Sequence, residues 1–216
     1  MESQKVFRDR WPGMRAFYLD WLRRETGREI PEISVNRLIE ADVIAGLQFC
    51  RAEFQGFLEI GCGAALPSLT IRSLGRSHVR AFDVNLEMVA KARGMARAAG
   101  VSLSVSCRDF DFHQWPGGGS WMWIAVKPRD PIGGDAFMQR IVARGMSQGV
   151  GLGLVPRYGP ERNAGDYKQR CANLAERLKN RGYAVTVRRL EKDLPLVGIL
   201  AIPGETGGNR VTETSG

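Results

Sequence analysis

The spacing of apolar residues changes near residue 57 and divides the chain into two parts. Before that point, two segments repeat apolar side chains every three or four residues, as on one face of a helix. In residues 11–26 the apolar face contains Met14, Tyr18, Trp21 and Leu22, and in residues 35–54 it contains Leu38, Ile39, Val43 and Leu47. The pattern predicts two amphipathic helices that precede the main domain.

From residue 57 onward, short apolar runs alternate with helical patterns. The runs predict strands at 57–60, 78–82, 103–107, 121–126, 150–155, 183–190 and 196–202, and helices at 66–74, 86–99, 135–147 and 165–180. Such alternation predicts an α/β fold, with a mostly parallel sheet and helices on both faces. Only "EKDLP" separates the last two strands, which is too short for a crossover helix. We therefore predict a seven-stranded sheet with an antiparallel C-terminal hairpin.

These patterns suggest three regions in the 216 residues. We predict an N-terminal helical lid over 1–56, one α/β domain over 57–203 and a disordered, Gly/Thr/Glu-rich tail over 204–216. No apolar run approaches the ~20 residues that span a bilayer, and the charged N-terminus does not resemble a secretory signal. We expect a cytoplasmic protein that is not attached to a membrane.

Cysteine and histidine are sparse and scattered. The four cysteines include no C-x-x-C pair, and there are two histidines. These residues give little basis for a zinc site or a disulfide framework, so we expect no metal and reduced thiols.

The net charge of +8 comes from the C-terminal half. Residues 137–192 contain twelve basic side chains against four acidic ones. One interpretation is a surface for RNA, DNA or an anionic substrate. The other is a set of solvated helix faces, which we favour because few aromatic residues lie between the basic ones.

The stretch "FLEIGCGAALPSL", residues 57–69, joins the first predicted strand of the sheet to a helix through two glycines. Gly61 and Gly63 let the backbone turn sharply and approach a ligand. Asp83 ends the second strand, where a carboxylate can bind both ribose hydroxyls. The third glycine of a dinucleotide fingerprint is replaced by Leu66, and Glu59 would repel a diphosphate but attract a cation. The pattern disfavours NAD and favours a cationic nucleoside.

These segments resemble the class I S-adenosylmethionine-dependent methyltransferase family, with its Rossmann-like fold. "LEIGCGAAL" is similar to the first family motif, "VRAFDVNLEMVAKAR" to the second and "VSCRDFDF" to the third. The resemblance implies that Asp109 binds the adenine amino group and that Phe110 flanks the ring. It covers about residues 57–202. The cofactor-binding residues that it implies, with those above, are Glu59, Gly61, Gly63, Asp83, Val84, Asp109 and Phe110.

Acceptor contacts are expected from the loops after strands four and five. The loop "VKPRDPIGGD" lacks the Asn/Asp-Pro-Pro-aromatic motif of enzymes that methylate adenine, cytosine or glutamine nitrogens. Lys127 and Arg129 are suited to hold a carboxylate or phosphate, although both could be surface charges in a turn. Arg157, after strand five, could also bind an anion.

Methyl transfer from a sulfonium requires a base only when the acceptor arrives protonated. Asp130 is the preferred candidate base, followed by Tyr158 and His113. Tyr18, a candidate substrate-binding residue, and Trp21 could close a lid over the site or simply cover the edge of the sheet. Trp121 and Trp123 alternate along strand four and are expected in the core.

We therefore predict an S-adenosyl-L-methionine-dependent methyltransferase of a small biosynthetic acceptor that carries an anionic group. The protein would be a monomer or homodimer. Alternatives are an RNA or protein methyltransferase that uses the basic stretch, and a methyltransferase-like binding subunit without activity. A nicotinamide oxidoreductase is a more distant possibility.

Overall fold

A computed structural model describes residues 12–21, 23–24, 32–128, 136–157, 164–190 and 196–204. The predictions made for Arg129, Asp130, Tyr158 and residues 205–216 lie outside these ranges.

The described residues form seven strands and six helices. The strands are β1 (Gly56–Ile60), β2 (His78–Asp83), β3 (Ser104–Cys107), β4 (Trp121–Val126), β5 (Gly151–Val155), β6 (Tyr183–Arg189) and β7 (Val197–Pro203). The helices are α1 (residues 12–21 and 23–24), α2 (Glu32–Phe49), α3 (Leu66–Ser73), α4 (Leu86–Ala98), α5 (Ala136–Ser147) and α6 (Ala164–Lys179).

All seven strands belong to one sheet, in the order β3-β2-β1-β4-β5-β7-β6. The pairs among β1 to β5 are parallel, whereas β7 is antiparallel to both β5 and β6. The predicted seven-stranded sheet with an antiparallel C-terminal hairpin is confirmed. The parallel order brings the carboxyl ends of β1 to β5 to one side of the sheet, which we call the carboxyl edge.

Helices cover both faces of the sheet. On one face, α5 and α6 contribute Ile141 and Leu174 to a core with Trp123 and Leu152. On the other face, Ala41, Ala45 and Phe49 of α2 pack with residues of β1, β4 and β5. Trp123 is fully buried, as its alternation along β4 predicted.

The connection from β3 to β4, residues 108–120, contains no helix and is described throughout. Trp115 stacks on Phe82 with ring centroids 3.9 Å apart. Its indole N–H donates to the carbonyl of Phe110 at 2.9 Å. An aromatic loop therefore covers this part of the sheet.

Helix α1 packs on other helices. Met14 is fully buried among Ile39 and Val43 of α2, Leu66 of α3 and Met95 of α4. The apolar stripe predicted in 11–26 thus has a partner surface within the same chain. No helix in the described part of the chain combines the length and apolar character needed to cross a membrane.

Candidate active site

The turn after β1 is built on residues with left-handed backbone conformations. The φ angles of Gly61 and Gly63 are 64° and 51°, a region in which a side chain is strained. The N–H of Cys62 donates to the carbonyl of Phe82 at 2.9 Å, which fixes the turn to β2. A Cβ added to Gly63 would meet no atom within 4 Å, so open space adjoins this backbone.

Asp83 connects the glycine turn to the start of α4. Its Oδ2 accepts from the N–H of Gly63 and its Oδ1 from the N–H of Asn85, each at 3.0 Å. Each carboxylate oxygen has a further lone pair. Asp83 can therefore accept hydrogen bonds from two ligand hydroxyls while it holds the turn in place.

The sheet brings other predicted residues next to Asp83. Asp83 is in register with Cys107 on β3, and the N–H of Arg108 donates to the Asp83 carbonyl at 3.0 Å. Asp109 follows directly, and its carboxylate accepts from the N–H of Asp111 at 2.9 Å. Val84 is 68% exposed beside them. The predicted cofactor residues Gly61, Gly63, Asp83, Val84 and Asp109 thus lie along one part of the carboxyl edge.

Phe110 is buried among aromatic rings, and the prediction that it flanks the adenine ring stays a prediction. Its ring is 3% exposed and makes edge contacts with Trp123 and Phe137 at 5.9 and 5.7 Å between centroids. The helix-free β3–β4 connection leaves a space that aromatic rings fill, and Phe110 belongs to that core. The exposed aromatic side chain of this loop is Phe112.

Glu59 is buried and contacts the start of α3, and the prediction that it binds the cofactor stays a prediction. It is 2% exposed, and its Oε2 accepts from the N–H of Ser68 at 2.9 Å in the first turn of α3. The N-cap residue of α3, Ala65, makes no side-chain cap. Glu59 therefore supplies the missing acceptor from β1. Burial raises the pKa of Glu59 to about 8, against the opposing effect of the Ser68 hydrogen bonds.

Lys127 at the end of β4 is bound to the protein's own carboxylate. Its Nζ lies 2.5 Å from Oδ1 of Asp42 on α2, and both side chains are 20% exposed. Asp42 neutralises the charge of Lys127 in this structure, and the prediction that Lys127 holds an anion of the acceptor stays a prediction. Lys127 also has a φ of 49°, a strained conformation of the kind that is concentrated at functional sites.

Asp42 is a site residue that the sequence analysis missed. It lies four residues after Leu38 and three before Ala45, so helical spacing places it on the apolar stripe of α2. A carboxylate in such a stripe indicates a buried partner. Burial raises the pKa of Asp42, while Lys127 and Lys91 act in the opposite direction.

Tyr18 contacts a lysine. Lys91 of α4 is 5% exposed, and its Nζ lies 4.0 Å from the ring centroid of Tyr18 and 3.3 Å from that of Trp21. These are cation–π distances. Burial, with a smaller effect from Asp42, raises the pKa of Tyr18 to about 12. The predicted contact of Tyr18 with substrate stays a prediction.

Arg157 and His113, the other predicted acceptor residues within the described ranges, lie in different environments. Arg157 is exposed two residues beyond β5, at the carboxyl edge, and its carbonyl accepts from Arg170 at 3.0 Å. His113 lies in the β3–β4 loop, where it stacks on Trp115 at 5.5 Å and contacts Arg108. Arg157 is thus exposed at the carboxyl edge, where its binding of an anion stays a prediction, whereas His113 contacts its neighbours within the loop.

Comparisons of this structure with solved structures give one consistent result. A methyltransferase from Pyrococcus furiosus matches with a TM-score of 0.55 and 20% identity, over 88% of this chain and 96% of the other. Magnesium protoporphyrin IX methyltransferase from Synechocystis PCC 6803, with bound S-adenosylmethionine, matches with a TM-score of 0.55 and 13% identity, over 88% and 97%. The ribosomal protein L11 methylase from Lactobacillus delbrueckii subsp. bulgaricus gives 0.56 and 10%, over 76% and 77%.

The chain has the class I methyltransferase fold. No protein-family model matches the sequence, and the search of curated proteins found no similar sequence. The methyltransferase fold was predicted from three motifs and the C-terminal hairpin. Its solved examples act on acceptors as different as a ribosomal protein and a porphyrin, so the fold does not select an acceptor.

Proposed function

We propose that the protein binds S-adenosyl-L-methionine at the carboxyl edge of β1 to β3 and transfers its methyl group. The observation that carries this proposal is the position of Asp83. Its carboxylate is fixed by Gly63 and Asn85 at the end of β2, beside the open glycine turn. In sheets of this kind, nucleotides bind outside the carboxyl ends of the strands.

Each part of the cofactor has a matching group in the chain. The backbone of Gly61 and Gly63 would face the amino acid portion, since neither residue has a Cβ to block it. Asp83 would accept from the ribose hydroxyls, and Asp109 from the adenine amino group. The exposed side chain of Val84 would lie against the base, where burial of its apolar surface is favourable.

When bound, S-adenosylmethionine supplies a methyl group that is already activated by its sulfonium. The residues around it must therefore position an acceptor in line and exclude water, which can lower a barrier substantially without acid–base chemistry. The Lys127–Asp42 pair at the end of β4 holds α2 against the sheet beside this edge. Asp130 and Tyr158 stay candidates for the base.

We further propose a small biosynthetic acceptor with an anionic group. Arg157 supports this proposal because its guanidinium is exposed at the carboxyl edge, where it can pair with a carboxylate or phosphate. Because Lys127 is already paired with Asp42, Arg157 is the main candidate to bind the anion of the acceptor, and Arg129 is a second candidate. RNA or protein acceptors, and a binding subunit without activity, stay as alternatives.

Calorimetry tests whether the protein binds the cofactor. S-adenosylmethionine with a tritiated methyl group tests which class of acceptor is methylated. The purified protein should bind S-adenosylmethionine and its demethylated product but not NADH. Incubation with cell extract should then place the label in a small, acid-soluble product. Label in acid-precipitated RNA or protein would favour a macromolecular acceptor, and absence of cofactor binding would favour the inactive subunit.

A further inference from the structure

A cleft lies between α5 and α6, next to the end of β5. Its volume is about 210 Å³, and its lining residues are Gln139, Pro156, Arg170, Asn173, Leu174 and Arg177. Two of these six described residues carry a positive charge and none carries a negative one. The candidate cofactor residues contribute nothing to this cleft.

The two amide side chains in the lining are oriented by their neighbours. The Oε1 of Gln139 accepts from Nη1 of Arg177, and the Oδ1 of Asn173 accepts from Nε2 of Gln169 at 2.8 Å. Because both amide oxygens are engaged, each side chain retains its NH₂ group as a donor. The polar side chains of the cleft therefore offer donors to a ligand.

The two guanidiniums are both carried by α6, and each is held in place by its neighbours. Nη2 of Arg170 donates to the carbonyl of Arg157 at 3.0 Å, and its guanidinium carbon lies 5.7 Å from the ring centroid of Tyr167. Arg177 lies two helical turns further along α6, on the same face, and is oriented by Gln139. Arginines that are fixed before binding lose less side-chain entropy when a ligand arrives.

We propose that this cleft is a binding site for a small anion, a phosphate or carboxylate group. Guanidinium and amide N–H groups form charge-assisted hydrogen bonds with such oxygens. The volume is below the roughly 300–1,000 Å³ of sites for drug-sized ligands, so the cleft accommodates a headgroup and not a nucleotide. Pro156 and Leu174 add an apolar wall for a short carbon stem. The proposal does not depend on the proposed methyltransferase function.

Calorimetry at constant ionic strength tests the site with inorganic phosphate and, separately, with malonate. The wild-type protein should bind at least one of them with a stoichiometry of one. Arg177→Gln should weaken that binding about tenfold or more, as expected for a lost charge-assisted contact. The matched control is Arg181→Gln, which removes the same charge just beyond the end of α6 and outside the lining, and it should leave the affinity unchanged.

Nuclear magnetic resonance locates the binding. Amide shifts during the titration should concentrate on the cleft residues of α5 and α6. The stronger of the two anions identifies the headgroup as phosphate or carboxylate. The proposal is overturned if neither anion shows saturable binding, if Arg177→Gln and Arg181→Gln weaken binding equally, or if the protein binds only a single-stranded oligonucleotide.

Discussion

Lys127 at the end of β4 and Asp42 in α2 form an ion pair, with 2.5 Å between Nζ and Oδ1. The pair joins a helix from the N-terminal region to the carboxyl edge of the sheet. Each side chain is 20% exposed, so the pair is neither a solvated surface contact nor fully buried. Its strength should therefore exceed that of exposed pairs, which contribute about 0–1 kcal/mol.

A double-mutant cycle with Asp42→Asn and Lys127→Met measures this strength. Asp42→Asn alone should lower the free energy of unfolding by about 1–3 kcal/mol, because it leaves a partly buried ammonium without its counter-ion. The coupling energy should be larger than that of the exposed Arg51–Glu53 pair, measured in the same way by urea unfolding. Equal coupling for the two pairs would contradict this expectation, and a coupling energy near zero would show that Asp42 and Lys127 do not interact in solution.

The stability of the protein should depend on pH through Glu59. Burial raises its pKa from 4.5 to about 8, so the folded protein keeps a proton that the unfolded chain has lost between these values. The unfolded state then binds fewer protons, and the free energy of unfolding falls as pH rises through this window. The change is at most about 1.4 kcal/mol per pH unit.

Glu59→Gln is the matched variant for this effect. Its amide oxygen can still accept from the N–H of Ser68, but it does not titrate. Urea unfolding at several pH values between 5 and 8 should show the variant gaining stability relative to the wild type as pH rises. If the free energies of unfolding of the wild type and Glu59→Gln change with pH in parallel, Glu59 is ionised in the folded protein across this range.

Helix α1 should contribute to the stability of the folded protein. Met14 is fully buried against α2, α3 and α4, so Met14→Ala should cost about 2–5 kcal/mol through lost burial and a cavity. Arg23→Ala on the exposed side of α1 is the control and should stay within about 0.5 kcal/mol of the wild type. Thermal and urea unfolding measure both, and an unaffected Met14→Ala would show that α1 is detached in solution.

The sheet was predicted well because the local pattern of apolar residues indicates each strand. Buried parallel strands are continuous apolar runs, and turns or helix starts interrupt them, so predicted and observed bounds agree within about two residues. The proximity of the glycine turn to Asp83 could also be predicted from the sequence. The spacing of the first strand, the turn and the second strand determines that they meet.

Contacts between distant segments could not be predicted in the same way. The Asp42–Lys127 pair exists only because α2 packs on the sheet beside β4, and nothing near Lys127 in the sequence specifies that helix. The burial of Phe110 was not predicted, because it depends on Trp115 and Phe137, which come from a helix-free loop and from α5. The contact between Glu59 and the start of α3 was not predicted either, because only the fold brings this carboxyl group to the helix that Ala65 leaves without a side-chain cap.

Asp83 is proposed to bind a nucleoside at the carboxyl edge, and calorimetric titration of Asp83→Ala with S-adenosylmethionine tests this role. Loss of a charged acceptor should weaken binding about tenfold to a hundredfold. Glu87→Ala, which removes an exposed carboxylate four residues away in the first turn of α4, should bind as the wild type does. Circular dichroism should confirm that both variants are folded. Equal affinity of Asp83→Ala and the wild type, or tight NADH binding without any response to S-adenosylmethionine, would show that Asp83 does not have this role.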